Sequence, residues 1–170
     1  GKPSLSVTNS FSVVVVEVNE APAPTMPGRQ LINEMTNWTL DLMVSDADRP
    51  ANTLNFGLMS GPTGLTVNAT NGLVSWTPNE SQGPSTNVIT VRVTDDGTPG
   101  LTATTSFTVV VNEVNLPPEL SLIKDSTIAA GKTMGFTPSA TDPDLPANTL
   151  TFSLAEGAPP GAKIDPITGA

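Results

Sequence analysis

The residues of this chain that could do chemistry are oxygen donors, and they come in groups. Glu17 stands with Asn19 and Glu20. Asp46 and Asp48 form an Asp-x-Asp pair, with Asn52 four residues on. Asp95 and Asp96 precede Gly97. Carboxylate and amide oxygens at such spacing suit calcium, which takes six to eight oxygen ligands, or a glycosidase-type carboxylate pair. Adjacent carboxylates repel, and a divalent cation relieves that repulsion. The competing reading is a solvated turn, because Asp, Asn and Pro are common turn residues.

The 170 residues contain no His, no Cys and no Tyr. Ser-His-Asp and Cys-His catalysis, zinc on His or thiolate, haem ligation and disulfides are therefore excluded. Sixteen acids against seven bases give a net charge of −9, which argues against nucleic acid. The longest apolar run, Val13 to Val16, is too short for a membrane span or a signal peptide. Acidity without cysteine points to an extracellular or cell-surface setting, bacterial rather than vertebrate.

The acidic groups recur because the chain repeats. Phe11 to Asn19 matches Phe107 to Asn115, and Asp46 to Phe56 matches Asp142 to Phe152, at an offset of 96. One residue is inserted near Pro159-Pro160, after which Asn71-Gly72 matches Thr168-Gly169. The expected division is 1–19 as the last strand of a preceding repeat, 20–115 as a complete unit, and 116–170 as the N-terminal part of a following one. Either the chain is a window on a longer array, the favoured reading, or strands are exchanged between copies. In register acids at turns are not what a catalytic cleft requires, so no enzyme is expected.

The elements that must position these groups are strands. Trp38, Leu40, Leu42 and Val44 alternate with Thr39, Asp41, Met43 and Ser45. Leu54, Phe56 and Leu58 alternate likewise, as do Ile89, Val91 and Val93, and Phe107, Val109 and Val111. Leu65 and Val67, then Val74 and Trp76, mark two short strands. With an opening strand around Thr25 to Asn33 the unit has seven. Seven short antiparallel strands in about 95 residues read as an all-β Greek-key, Ig-like sandwich. Shared parity puts Trp76, Phe56, Leu42, Val91 and Val109 in one core. No window shows helical spacing with a cap.

The motifs together resemble cadherin repeats, and more closely the cadherin-like, dystroglycan-type Ig modules repeated in bacterial surface proteins. They are Ile32-Asn-Glu34, Ser45-Asp-Ala-Asp-Arg-Pro-Ala-Asn52, Asn71-Gly-Leu-Val-Ser-Trp-Thr-Pro78, Val93-Thr-Asp-Asp-Gly-Thr-Pro99 and Val111-Asn-Glu-Val-Asn115. The resemblance covers the whole chain and implies Ca²⁺ between repeats. Carried over, it gives a first junction of Glu17, Asn19, Glu20, Asp46, Asp48, Asn52 and Asp95. A second, weaker junction has Glu34, Glu113, Asn115, Asp142, Asp144 and Asn148. It is weaker because Leu116 replaces an acidic linker residue and no Asp-Arg-Glu motif occurs near Trp76-Thr-Pro78; Ala130 also replaces the glutamate found at Glu34. The implied function is an extracellular structural or adhesive rod, stiffened by calcium or built into a surface filament. Its partners would be neighbouring repeats, copies of itself, or another surface protein or glycan. The alternative is a carbohydrate- or ligand-binding accessory module of a larger secreted enzyme, which would want more exposed aromatics than two Trp and five Phe supply.

Overall fold

The computed structural model describes residues 2–170. Its elements are strands β1 (Ala23–Pro24), β2 (Gln30–Asn33), β3 (Trp38–Asp41), β4 (Val44–Ser45), β5 (Asn55–Ser60), β6 (Thr66–Val67), β7 (Leu73–Trp76), β8 (Ser85–Thr94), β9 (Thr102–Asn112), β10 (Glu119–Leu120) and β11 (Ala140–Thr141). A single 3-10 turn, Glu80–Gln82, separates β7 from β8.

Two sheets face each other across the core of the middle unit. One has the order β2-β9-β8-β5 and the other β3-β7-β6. Alternation selects which side chains meet between them, because successive residues of a strand point to opposite faces. Phe56 of β5, Val91 of β8, Val109 of β9 and Trp76 of β7 are all buried, as is Leu42 just after β3. The expected five-residue core is therefore the observed one. Ile32, Leu65, Val74, Ile89, Val93, Phe107 and Val111 complete it.

Two features of the opening strand differ from expectation. It is divided: β1 pairs with β4 in a separate two-stranded sheet, whereas β2 joins the four-stranded sheet. Pro27 and Gly28 lie in the connecting segment, where neither a ladder donor nor a packed side chain is needed. Second, β2 runs parallel to β9, from Gln30↔Val109 to Asn33↔Asn112. The sandwich is thus not wholly antiparallel. Strands β3 to β8 lie between these two in the chain, so no hairpin dictates their relative direction.

Beyond residue 115 the repeat returns in outline. β10 pairs with β11 in the register Glu119↔Thr141, which is Ala23↔Ser45 shifted by 96. The flanking bonds shift too: Thr25 N–H donates to Met43 O, and Ser121 N–H to Ser139 O. Gly72 (φ 72°) closes over the Phe56 ring and Gly169 (φ 73°) over Phe152, at the offset of 97 that the insertion requires. Residues 2–19 form no strand, and Phe11, Val13 and Val15 are exposed. The assignment of this tail to a preceding unit rests on its sequence likeness to 97–115; Gly1 lies outside the described residues.

Candidate metal centre

The loops that follow β4 and β8 carry the first group of donors, and the tail before β1 meets them. The Glu20 backbone N–H donates to both carboxylate oxygens of Asp48, at 3.0 and 3.2 Å. Asp48 N–H donates to Asp46 Oδ1 at 3.0 Å, the bond of an Asp turn. Asn52 Nδ2 donates to Asn19 Oδ1 (2.6 Å) and Asp48 Oδ2 (2.7 Å). Asn19 Nδ2 reaches Asp95 Oδ1 at 3.0 Å. Asn19, Asp46, Asp48, Asn52 and Asp95 therefore sit in one connected network, which Glu20 enters through its backbone only. A side-chain hydrogen bond to Asp48 raises the pKa of Glu17, helped by burial and by the charges of Asp48, Asp46 and Glu20. Asp46 Oδ2 and Asp95 Oδ2 are buried without a partner.

The same network recurs at the second junction. Leu116 N–H donates to Asp144 Oδ1 (2.9 Å) and Asp144 N–H to Asp142 Oδ1 (3.1 Å). Asn148 Nδ2 donates to Asn115 Oδ1 and Asp144 Oδ2, both at 2.8 Å. Leu116 stands where Glu20 does, and both give only a backbone N–H. The loss of an acidic side chain at this position thus removes nothing from the network.

What the second junction adds is a group of three glutamates. Glu34, just after β2, is 1% exposed, and its Oε1 accepts the Val114 N–H at 2.8 Å. Glu113 follows β9. Glu80 opens the 3-10 turn, and its Oε1 accepts the Leu145 N–H at 3.0 Å. One oxygen from each of the three lies within 4.8 Å of the others. Glu34 Oε2, Glu80 Oε2 and Glu113 Oε1 are all buried without a hydrogen-bond partner. Such orphaned carboxylate oxygens are costly unless a cation completes them. Calcium–oxygen bonds of about 2.3–2.6 Å place ligands on opposite sides of one ion roughly 4.6–5.2 Å apart, so the spacing fits. Glu80 was not among the residues singled out by sequence. It has no repeat partner within the chain, so the offset that flagged the other acids could not flag it. Its turn stands just past Pro78, where the Asp-Arg-Glu motif is missing.

The electrostatics carry the same mark. Burial, then the charges of Asp144, Glu34, Glu80 and Asp142, raise the Glu113 pKa. At Asp95 burial acts upward too, but bonds from the Leu101 N–H, Asn19 and the Gly97 N–H outweigh it and lower the pKa. The two shifts have opposite consequences. A carboxyl raised above its unfolded value stabilises the fold at low pH and loses that contribution as pH rises through the folded pKa. A lowered one stabilises above the unfolded pKa and loses it as pH falls through the folded pKa. In chelator, thermal stability should therefore rise from neutral pH into the mildly acidic range, then fall as Asp95 is protonated. A melting temperature that falls steadily from neutral pH downward would contradict this.

Known proteins give the wider frame. Residues 17–112 match the model of the family described as "Putative Ig domain" (He_PIG). Among solved structures, human CDH23 EC21-23 superposes with a TM-score of 0.61 at 21% identity, covering 91% of this chain and 55% of that one. Mouse Cadherin-23 EC22-24 gives 0.54 at 19% identity, covering 91% and 54%. The Protocadherin GammaB4 extracellular domain gives 0.55 at 17% identity, covering 90% and 29%. The chain thus spans between about a third and about half of the length of these cadherin structures. No curated protein sequence matches it. The shared architecture is the cadherin-like, Ig-type fold.

Proposed function

Because the chain belongs to the He_PIG family of Ig domains, and folds as cadherin extracellular modules do, we propose that it is part of an extracellular rod of about 96-residue units with a structural or adhesive role. On this reading 1–19 closes a preceding unit, 20–115 is a whole one, and 116–170 opens the next. Calcium at the junctions stiffens the rod. The observation that carries the proposal is the trio of unpartnered oxygens on Glu34, Glu80 and Glu113. They belong to the middle unit and stand beside Asp142 and Asp144 of the next, whose charges reach Glu113. Glu34, Glu80 and Glu113 would hold the ion from one side, with Asp142, Asp144 and the Asn115 side chain offering oxygens from the other. Bound there, calcium would supply the positive charge that this group lacks and a set of bonds spanning both units.

The role is then geometric: fixing the joint removes bending freedom between neighbours. Affinities of about 10⁻⁴–10⁻³ M are typical of extracellular calcium modules. X-ray scattering of the protein in chelator and in millimolar calcium tests this. Calcium should narrow the distribution of interunit distances while the fluorescence of Trp38 and Trp76 stays native. Identical profiles would overturn the stiffening role, and unfolding of the middle unit in chelator would show that the ion serves the fold rather than the joint.

A further inference from the structure

We propose that the turn Asn79–Gly83 is the coupling element of the second junction, with Glu80 linking the carboxylate group to the following unit and Gly83 holding Glu34 in place. The inference rests on the calcium reading above and adds to it which residues transmit occupancy from one unit to the next.

Glu80 has one oxygen on each side of the joint. Its Oε1 accepts the N–H of Leu145, in the following unit, and its Oε2 is the buried, unpartnered atom of the three-glutamate group. Glu34 differs: its bonded oxygen takes the N–H of Val114, next to Glu113 in the chain. Charge placed at the group therefore acts on the Leu145 backbone through Glu80. The backbone of the turn that carries Glu80 is held by Gln82. Gln82 Oε1 accepts the Asn79 N–H at 3.0 Å, and Gln82 N–H donates back to Asn79 O at 2.9 Å. Gln82 Nε2 anchors the turn on Thr63 O at 3.0 Å.

Gly83 ends the turn directly over Glu34. A Cβ there would meet Glu34 Cδ at 2.8 Å and its Oε2 closer still. The atoms it would meet are the carboxylate of the buried Glu34, so even a methyl group must push that carboxylate off the group. Gly83 is a positioning residue: it touches no ion, but it leaves the space in which Oε2 points inward.

The experiment uses the whole chain and three variants, Glu80→Gln, Glu80→Ala and Gly83→Ala, with Thr86→Ala on the exposed face of β8 as control. Calcium binding is titrated by calorimetry, amide exchange is read at Leu145 and Val114 in chelator, and tryptophan fluorescence reports folding. Gly83→Ala should weaken calcium binding about 10–100-fold, the size of effect seen when supports around metal ligands are removed, and both Glu80 variants, which alter a ligand, at least as much. Leu145 protection should survive in Glu80→Gln, which keeps a carbonyl acceptor, and vanish in Glu80→Ala. Val114 should exchange faster in Gly83→Ala alone. Should Gly83→Ala fail to fold, the contrast between the two Glu80 variants decides. Equal Leu145 exchange in Glu80→Gln and Glu80→Ala overturns the coupling and leaves the calcium reading standing, whereas parent-like calcium affinity in both Glu80 variants overturns the site and the coupling with it. A parent chain that binds no calcium overturns both.

Discussion

Trp76→Ala should lower the stability of the middle unit by about 3–5 kcal/mol, the range for a buried Trp or Phe cut to Ala. Trp76 is 1% exposed and lies in β7 between β3 and β6, where both sheets converge on it. Truncation removes the largest side chain of the core and leaves a cavity that close-packed strands cannot collapse around. The polar part of the loss is small. Trp76 Nε1 donates to Thr63 O at 3.2 Å, but that carbonyl also accepts Gln82 Nε2, so it keeps a partner. Cavity and transfer terms therefore decide the size of the effect. For a domain of about 100 residues, each kcal/mol moves the melting temperature by roughly 4–8 °C, so the drop should exceed about 12 °C. Trp38, half-exposed at the start of β3, remains as a fluorescent reporter in the variant. A urea-denaturation loss below about 1 kcal/mol would remove Trp76 from the centre of the core.

Gly72→Ala should be nearly as damaging, for a different reason. Gly72 adopts φ 72°, where an L-residue costs about 1–2 kcal/mol. An added Cβ would also stand 2.7 Å from Phe56 Cε1 and 2.9 Å from Cδ1. Phe56 is buried among the core strands, so its ring can give way only by disturbing them, an overpacking cost of about 1–3 kcal/mol. Together the two terms make about 2–5 kcal/mol, read as a shift in the chemical-denaturation midpoint with an unchanged slope. Gly57→Ala is the internal comparison, since a Cβ there meets only the end of Arg92 at 4.0 Å. If both glycines cost the same, the account of Gly72 fails.

The core was legible because alternation is a local property of the chain. Phe56, Val91 and Val109 announce their faces by their own neighbours, and no knowledge of the partner strand is needed. The direction of β2 was not legible. Gln30–Asn33 looks the same whether its partner runs with it or against it, and the choice depends on the path taken between the sheets. The acidic groups divide along the same line. Asp46, Asp48 and Asn52 could be found because Asp142, Asp144 and Asn148 repeat them, and the structure gives each set the same hydrogen bonds. Glu80 is an isolated acid on a surface turn in the sequence. Only folding brings it beside Glu34 and Glu113, residues 46 and 33 positions away.

The parallel pairing of β2 with β9 has a mechanical meaning. The chain enters β2 at Gln30 and leaves β9 at Asn112, and the two strands lie side by side in the same direction. Tension applied along the chain therefore drags β2 backward and β9 forward. The load falls on the backbone bonds of Gln30–Asn33 all at once, as in a lap joint, rather than one after another as in a zipper. Rupture then requires several bonds to fail together, even though each contributes only about 0.5–1.5 kcal/mol at equilibrium. Ile32 and Val111 lie opposite each other in this patch and are both buried, so sliding it also drags apolar surface into water. Pulling the middle unit by its two ends should give a higher rupture force than pulling it across β5 and β8, which are antiparallel neighbours loaded from one end. Equal forces in the two geometries would place the mechanical resistance elsewhere.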